Sequence, residues 1–330
     1  MSAIHRLLQI PGSLRSIIHD LDIQNKFLQK EIKSITDQHL QYSDGTLDEA
    51  DVKKIFSYYG IAVPAILGEA FCLLRGKKMS DAERHCSTAM GAMTGLFDDF
   101  LDKQFMDEKK IETSVLNGGV EKGNSNEQLF NLFYKKALEH APDKKLVVSR
   151  LLKVHQAQLK SKLQVNGALS KNELTTITLE KGASSLLFYY SAFQPGQHAD
   201  ENNIVGELGG WMQLANDIFD VYKDREANIQ TLVTSAKDIN EIRELFLDGI
   251  RDCINKTYAL PFKNKNIDAF INRLSIGIFS RSLVCLDQLE KNQRSTNNHF
   301  DVHQYNRKQL ICDMDTVIYK MKSLLKHLSI

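Results

Sequence analysis

The stretch GLFDDFLDKQ (95–104) sets three aspartates, Asp98, Asp99 and Asp102, among Leu96, Phe97, Phe100 and Leu101. A carboxylate beside apolar surface is costly unless it is paired or bound to metal. On a helix, Asp98 and Asp102 stand four apart and Asp99 three from Asp102, so all three point to roughly one side. Like charges so placed repel, and something positive should compensate them. A second cluster, MQLANDIFDVYKDRE (212–226), places Asn216, Asp220 and Asp224 at successive spacings of four, with Asp217 beside them. Carboxylate and amide oxygens are hard ligands that suit Mg²⁺, which is usually held by one or two carboxylates together with substrate phosphates. Two acidic helix faces across a cavity are therefore expected to hold several Mg²⁺ ions with a diphosphate between them. The metal-binding set would be Asp98, Asp99, Asp102, Asn216, Asp217, Asp220 and Asp224, and Mn²⁺ could serve in place of Mg²⁺.

Positioning such faces calls for helices, and the sequence reads as helical throughout. Sustained period-2 alternation is missing, so strand signals are poor. Thr46-x-x-Glu49, Ser80-x-x-Glu83, Ser125-x-x-Gln128 and Ser170-x-x-Glu173 fit capping boxes that satisfy free helix N–H groups. Cys86, Met90, Met93, Phe97 and Phe100 recur at spacings of three and four, as do Ile204, Leu208, Trp211, Ala215, Ile218 and Tyr222. Pro11, Pro142, Pro195 and Pro261 fall at expected breaks, and loops are expected over 117–126, 194–203 and 292–298. One all-α domain over residues 1–330, with about ten or more helices, is the economical reading. Residues 1–45 would form peripheral N-terminal helices.

The two motifs resemble the aspartate-rich motifs of trans-isoprenyl diphosphate synthases and the related class I terpene synthases. The resemblance runs from about residue 50 to 235. Within the second motif, Asn216 resembles the terpene-cyclase triad, whereas Asp220 and Asp224 resemble the elongating prenyltransferases. A third stretch, LEKGASSLLFYYSAF (179–193), is similar to the segment in which a lysine precedes a small-residue helix break and points at the diphosphate. This match gives Lys181 that role. The resemblance implies a helical bundle with a central cavity, about three Mg²⁺ ions, and catalytic roles for Asp98, Asp99 and Lys181. Lys223 and Arg225 flank the second motif and could also reach phosphate. A carbocation needs aromatic walls and little water. Among the 16 Phe, 10 Tyr and one Trp, candidates for a pocket are Phe56, Tyr59, Phe97, Phe188, Tyr189 and Trp211.

Composition narrows the alternatives. The chain is 42% hydrophobic and 25% charged with a formal net charge of +1, which argues against bulk attraction to nucleic acid. No apolar run reaches the ~18 residues of a membrane span. Five scattered cysteines without C-x-x-C pairs argue against a disulfide frame or zinc site and fit a reducing cytoplasm. H-E-x-x-H, P-loop and G-x-S-x-G motifs are all missing. Chain-elongating enzymes of the family resemble one another in an N-terminal Gly-Lys-Arg and an arginine pair after the first motif. Here RGKK (75–78) lies close to Asp98, and KQFMDEKK (103–110) holds no arginine. That favours a single-substrate terpene synthase, a cyclase or lyase that ionises an allylic prenyl diphosphate and releases pyrophosphate. Prenyl transfer, by elongation or head-to-head condensation, is the alternative, and a non-catalytic metal-binding helical protein is the remote one. The family's C-terminal Arg-Tyr pair finds only a hint in QYNRK (304–308). The expected partner is a small-molecule prenyl diphosphate, without nucleic acid or membrane spans, and a homodimer is compatible with this reading.

Overall fold

The structure, a computed structural model, describes residues 3–103, 106–119, 123–193, 199–314 and 316–330; for Ala3, Ile4, His5, Asp102 and Ala199 it describes the backbone alone. The described residues are helical, and extended pairing is limited to one antiparallel bridge, Val165 with Ile229. The helices are α1 (Ala3–Glu31), α2 (Lys33–Gln41), α3 (Glu49–Lys54), α4 (Gly60–Ala62), α5 (Glu69–Arg75), α6 (Asp81–Asp102), α7 (Glu108–Leu116), α8 (Ser125–His140) and α9 (Lys144–Ser161). They continue as α10 (Lys171–Tyr190), α11 (Ala199–Phe219), α12 (Val221–Glu226), α13 (Ile239–Tyr258), α14 (Asn264–Leu274), α15 (Ser280–Ser295), α16 (Arg307–Leu310) and α17 (Val317–His327). Wide π-type turns occupy Ile55–Tyr59, Val63–Gly68 and Ser275–Phe279.

Packing divides the chain into two compact units. The first comprises Gly12–Lys153 and Phe188–Pro195; the second comprises Met1–Pro11, Val154–Leu187 and Gly196–Ile330.

In the first unit α6 is the central helix and packs mainly on α8 and the 55–68 segment. Its stripe of Cys86, Met90, Met93, Phe97 and Phe100 is buried, as the spacing predicts. The Ser80 capping box with Glu83 starts this helix. Two other starts lie beside their expected places. Asp48 rather than Thr46 caps α3, in a box with Asp51; the Thr46 oxygen instead accepts from the Asn126 N–H (3.2 Å). Asn124 rather than Ser125 caps α8. The N-terminal helices pack one face onto the first unit: Gln24 and Leu28 are fully buried, and the Gln24 amide donates to Gly60 O (2.8 Å) and Thr88 Oγ1 (2.9 Å).

In the second unit α11 packs on α13 and α15, and α15 on α17. The Trp211 ring fills the space left by Gly249 on α13. Pro11 lies inside α1 rather than at a break, and Pro195 lies outside the described residues. Pro142 and Pro261 do separate helices. Residues 199–203 belong to α11 and are not loop. The 292–298 loop begins only after Ser295, where Asn297 and Asn298 adopt left-handed backbone.

By length and composition two helical stretches, Glu49–Arg75 and Asn264–Ser295, could cross a membrane. Isolated polar and charged residues interrupt both, so neither holds an unbroken apolar run of ~18 residues. Half of the apolar window in the former and 78% in the latter is buried within the protein.

Candidate functional site

The first acidic motif ends α6 in the first unit. Asp98 is half-buried and Asp99 buried; the Asp102 side chain lies outside the described residues. The compensation that three neighbouring aspartates require comes from lysines. Lys103, the residue capping α6, places its ammonium 2.8 Å from Asp99 and 3.0 Å from Asp51. Lys54, on α3 three residues after Asp51, lies 3.0 Å from Asp51 and 3.9 Å from Asp99. Asn126 at the start of α8 donates its amide to Asp99 (3.3 Å). Two carboxylates thus share two ammonium groups. Burial pushes the Asp99 carboxyl above its ordinary range, opposed by the Lys103 hydrogen bond and reinforced by repulsion from Asp51. Asp51 is also buried, but hydrogen bonds from Lys54 and Lys103 hold it below that range. Asp51, Lys54 and Lys103 were not singled out from the sequence. Asp51–Lys54 is an ordinary i,i+3 pair, and nothing local shows that α3 reaches the end of α6.

The second motif lies in the second unit and is built differently. Helix α11 ends at Phe219, so Asp220 falls at a break and Asp224 belongs to α12. The expectation of one unbroken helix is corrected there. The i,i+4 backbone bonds from Asp220 to Asn216 and from Asp224 to Asp220 keep the helical spacing across the break. The Asn216 amide is 3.5 Å from the Asp220 carboxylate. Asp217 is buried and accepts from Gln213 Nε2 (2.9 Å) and Thr178 Oγ1 (3.3 Å). Burial raises its carboxyl to about 6, against the Gln213 hydrogen bond and the charge of Lys181. Asp224 is raised further, to about 7, by burial and then by repulsion from Asp217 and Asp220.

Lys181 sits on α10, and its charge acts on both Asp217 and Asp224. The small-residue segment after it is not a helix break, since α10 runs unbroken through Gly182–Ser185. The Ser184 and Ser185 hydroxyls bond back to the Lys181 carbonyl (3.0 and 2.9 Å). The glycine serves contact instead. A Cβ built on Gly182 would lie 2.0 Å from the Gly209 carbonyl oxygen, and one on Gly209 2.4 Å from that of Gly182. This backbone-to-backbone crossing is what lets Thr178 and Lys181 on α10 meet Asp217 on α11.

Of the flanking cations, Lys223 is exposed and 3.8 Å from Asp220. Arg225 is committed elsewhere: it donates to the carbonyls of Val302 and Tyr305 and pairs with Glu226. Its assignment to diphosphate is corrected accordingly. The hinted C-terminal tyrosine is likewise engaged, with the buried Tyr305 hydroxyl 2.6 Å from Thr296 Oγ1. In RGKK, Arg75 donates to the Tyr190 hydroxyl.

The pocket aromatics separate by role. Phe97 is core: it stacks on Phe130 (5.5 Å between centroids) and meets Phe100 edge-on (5.8 Å). Phe188 is buried, and Trp211 is packed against Gly249. Phe56 and Tyr59 lie in the π turn of the first unit, both half-buried. The Tyr189 hydroxyl is 2.8 Å from Thr94 Oγ1 of α6.

The second motif fits a hard divalent cation. Repulsion from Asp217 and Asp220 raises the Asp224 carboxyl, and protonation or a cation would relieve it. Among the described residues no three His, Cys, Asp or Glu side chains gather closely enough to hold a metal ion unaided. Mg²⁺ commonly completes its shell with water and substrate phosphate oxygens.

No protein-family model matches the chain, and no curated protein matches it. The crystal structure of a dehydrosqualene synthase in complex with ligand is similar at 12% identity and a TM-score of 0.48, over 96% of this chain and 98% of that one. A likeness at that level assigns no activity and no site residue.

Proposed function

We propose that the chain is a cytoplasmic, Mg²⁺-dependent enzyme that ionises a prenyl diphosphate. The observation that carries the reading is the second motif, where Asp217 and Asp224 are buried and raised to about 6 and about 7 with Asn216 and Asp220 beside them. A group of oxygen donors that repel one another in a buried setting is preorganised for a divalent cation. Bound Mg²⁺ would supply Lewis-acid stabilisation of charge developing on the leaving diphosphate. Lys181 adds a fixed positive charge, Thr178 and Gln213 orient Asp217, and the glycine crossing holds these groups at their spacing. In the first unit, Asp98 and Asp99 are proposed as cation ligands in their own right. Five unpaired cysteines agree with a reducing compartment.

Transfer of the prenyl cation to a second prenyl diphosphate is the fate we favour over cyclisation. The single-substrate reading rested on a shortage of cations near the first motif. Lys54 and Lys103 supply two ammonium groups there. Divalent cations on the carboxylates would free both lysines for phosphate. The test incubates the protein with geranyl, farnesyl and geranylgeranyl diphosphates, each alone and with isopentenyl diphosphate, and follows pyrophosphate release and products. Turnover that stops with chelator and yields a longer or condensed prenyl product supports the proposal. A terpene from one diphosphate alone restores cyclisation, and undiminished turnover in excess chelator removes the metal.

A further inference from the structure

Helix α17 is inverted relative to an ordinary surface helix. Val317, Met321 and Leu325, spaced by four, and Ile318 next to Val317 share one face. That face points outward, with the four residues 70%, 62%, 65% and 67% exposed in that order. The opposite face turns polar groups inward. Ser323 and His327 are buried; Ser323 Oγ is 2.8 Å from Ser280 Oγ, and His327 Nδ1 is 2.6 Å from Ser275 Oγ. Tyr319 bonds Gln288 (3.1 Å) from the same side. Aliphatic residues on such a helix ordinarily face the core.

The charges beside the stripe identify its occupant. VIYKMKSLLKH contains Lys320, Lys322, Lys326 and no acid. By helical spacing Lys322 and Lys326 flank one edge of the stripe and Lys320 the other. Lys326 pairs with Asp287, and Lys322 lies over the Tyr319 ring, 5.2 Å from its centroid. The acids nearest in sequence, Asp313 and Asp315, precede the helix, and the side chain of Asp315 lies outside the described residues. An apolar stripe bordered by lysines suits a bilayer interface, with aliphatic groups below the headgroups and ammonium groups among the phosphates. A second copy fits less well, because an isologous α17 contact would set lysine edges against lysine edges. The exposed Leu7 and Leu8 of α1 follow Arg6, whose guanidinium donates to the His327 carbonyl, and they add apolar surface near the end of α17.

We propose that α17 docks the protein on the surface of an anionic lipid bilayer, lying in the interface without crossing it. This does not depend on the proposed reaction. The test is sedimentation with vesicles of phosphatidylcholine alone and of phosphatidylcholine mixed with phosphatidylglycerol, at low and high salt. The expected result is binding to the anionic vesicles that weakens with salt. Ile318→Glu with Leu325→Glu, and separately Lys320→Glu with Lys322→Glu, should each reduce partitioning by about tenfold or more. The melting temperature should stay unchanged, since all four side chains are exposed. Equal binding of wild type and both variants overturns the proposal. So does concentration-dependent self-association without vesicles that Ile318→Glu abolishes, which would give the face to a second copy.

Discussion

The two acidic motifs look alike in sequence and differ in the cations that neighbouring helices bring to them. Asp99 in the first unit shares Lys103 and Lys54 with Asp51, so its charge is met by protein. Asp217 in the second unit accepts hydrogen bonds from Gln213 and Thr178, and the cations acting on Asp217 and Asp224 are Lys181 and, for Asp224, the exposed Lys223. The difference lies in what neighbouring helices deliver. Helix α3 brings a lysine to α6, while α10 brings to α11 a threonine and one lysine held at its position by a glycine crossing. The Asp51–Asp99 pair meets two ammonium groups and gains less from a cation than carboxylates without such partners. An uncompensated face stores repulsion that a cation would release.

The largest effect should come from removing a donor where repulsion is stored. Asp220→Ala should slow pyrophosphate release about 100- to 1000-fold, the usual loss when a group stabilising leaving-group charge is deleted. Circular dichroism should be unchanged, because Asp220 is partly exposed and lies at a helix break. Wild-type turnover in this variant would remove the second motif from the reaction.

The next effect is on stability against pH, and it sharpens the contrast. The folded Asp224 carboxyl stands at about 7, above the 3.8 of a free aspartate. The folded state therefore holds this proton more tightly than the unfolded state. Stability is fully present below about 4 and declines as pH rises toward 7, by a few kcal/mol at most. In metal-free protein Asp224→Asn should flatten the decline and raise the melting temperature at pH 7.5, and saturating Mg²⁺ should do the same for the wild type. Asp51, held below the ordinary range, has the opposite sign, and its contribution is lost as pH falls through its folded value. Parallel pH profiles for Asp224→Asn and wild type would show that the repulsion is not there.

A smaller loss, about 1–3 kcal/mol after screening of the partly exposed lysines, is expected for Asp51→Ala. That change removes two ion pairs and half of the α3 capping box. Thermal melts without metal would measure it. A variant as stable as the wild type would mean that the lysines leave the first face as unbalanced as the second.

Much of this was legible in the chain itself. Period and capping signals mark helices because both act over three or four residues, and the buried stripe of α6 and the boxes at Ser80 and Ser170 lie where the sequence puts them. The need for positive charge beside Asp98, Asp99 and Asp102 was also readable, since like charges on one helix face repel wherever they occur. The identity of the compensating groups was not. Lys54 stands 45 residues from Asp99, and only the packing of α3 on α6 joins them. Arg225 was equally misleading, because its partners are backbone carbonyls near 302–305 that carry no sequence signal. Gly182 suggested a break, but a glycine costs a helix interior only ~1 kcal/mol and keeps its backbone hydrogen bonds, and α10 runs through it. The sequence by itself determined the helices, their caps and the two acidic faces, all products of local spacing. Tertiary structure alone decided which face is neutralised, because Coulomb energy depends on distance through space rather than along the chain.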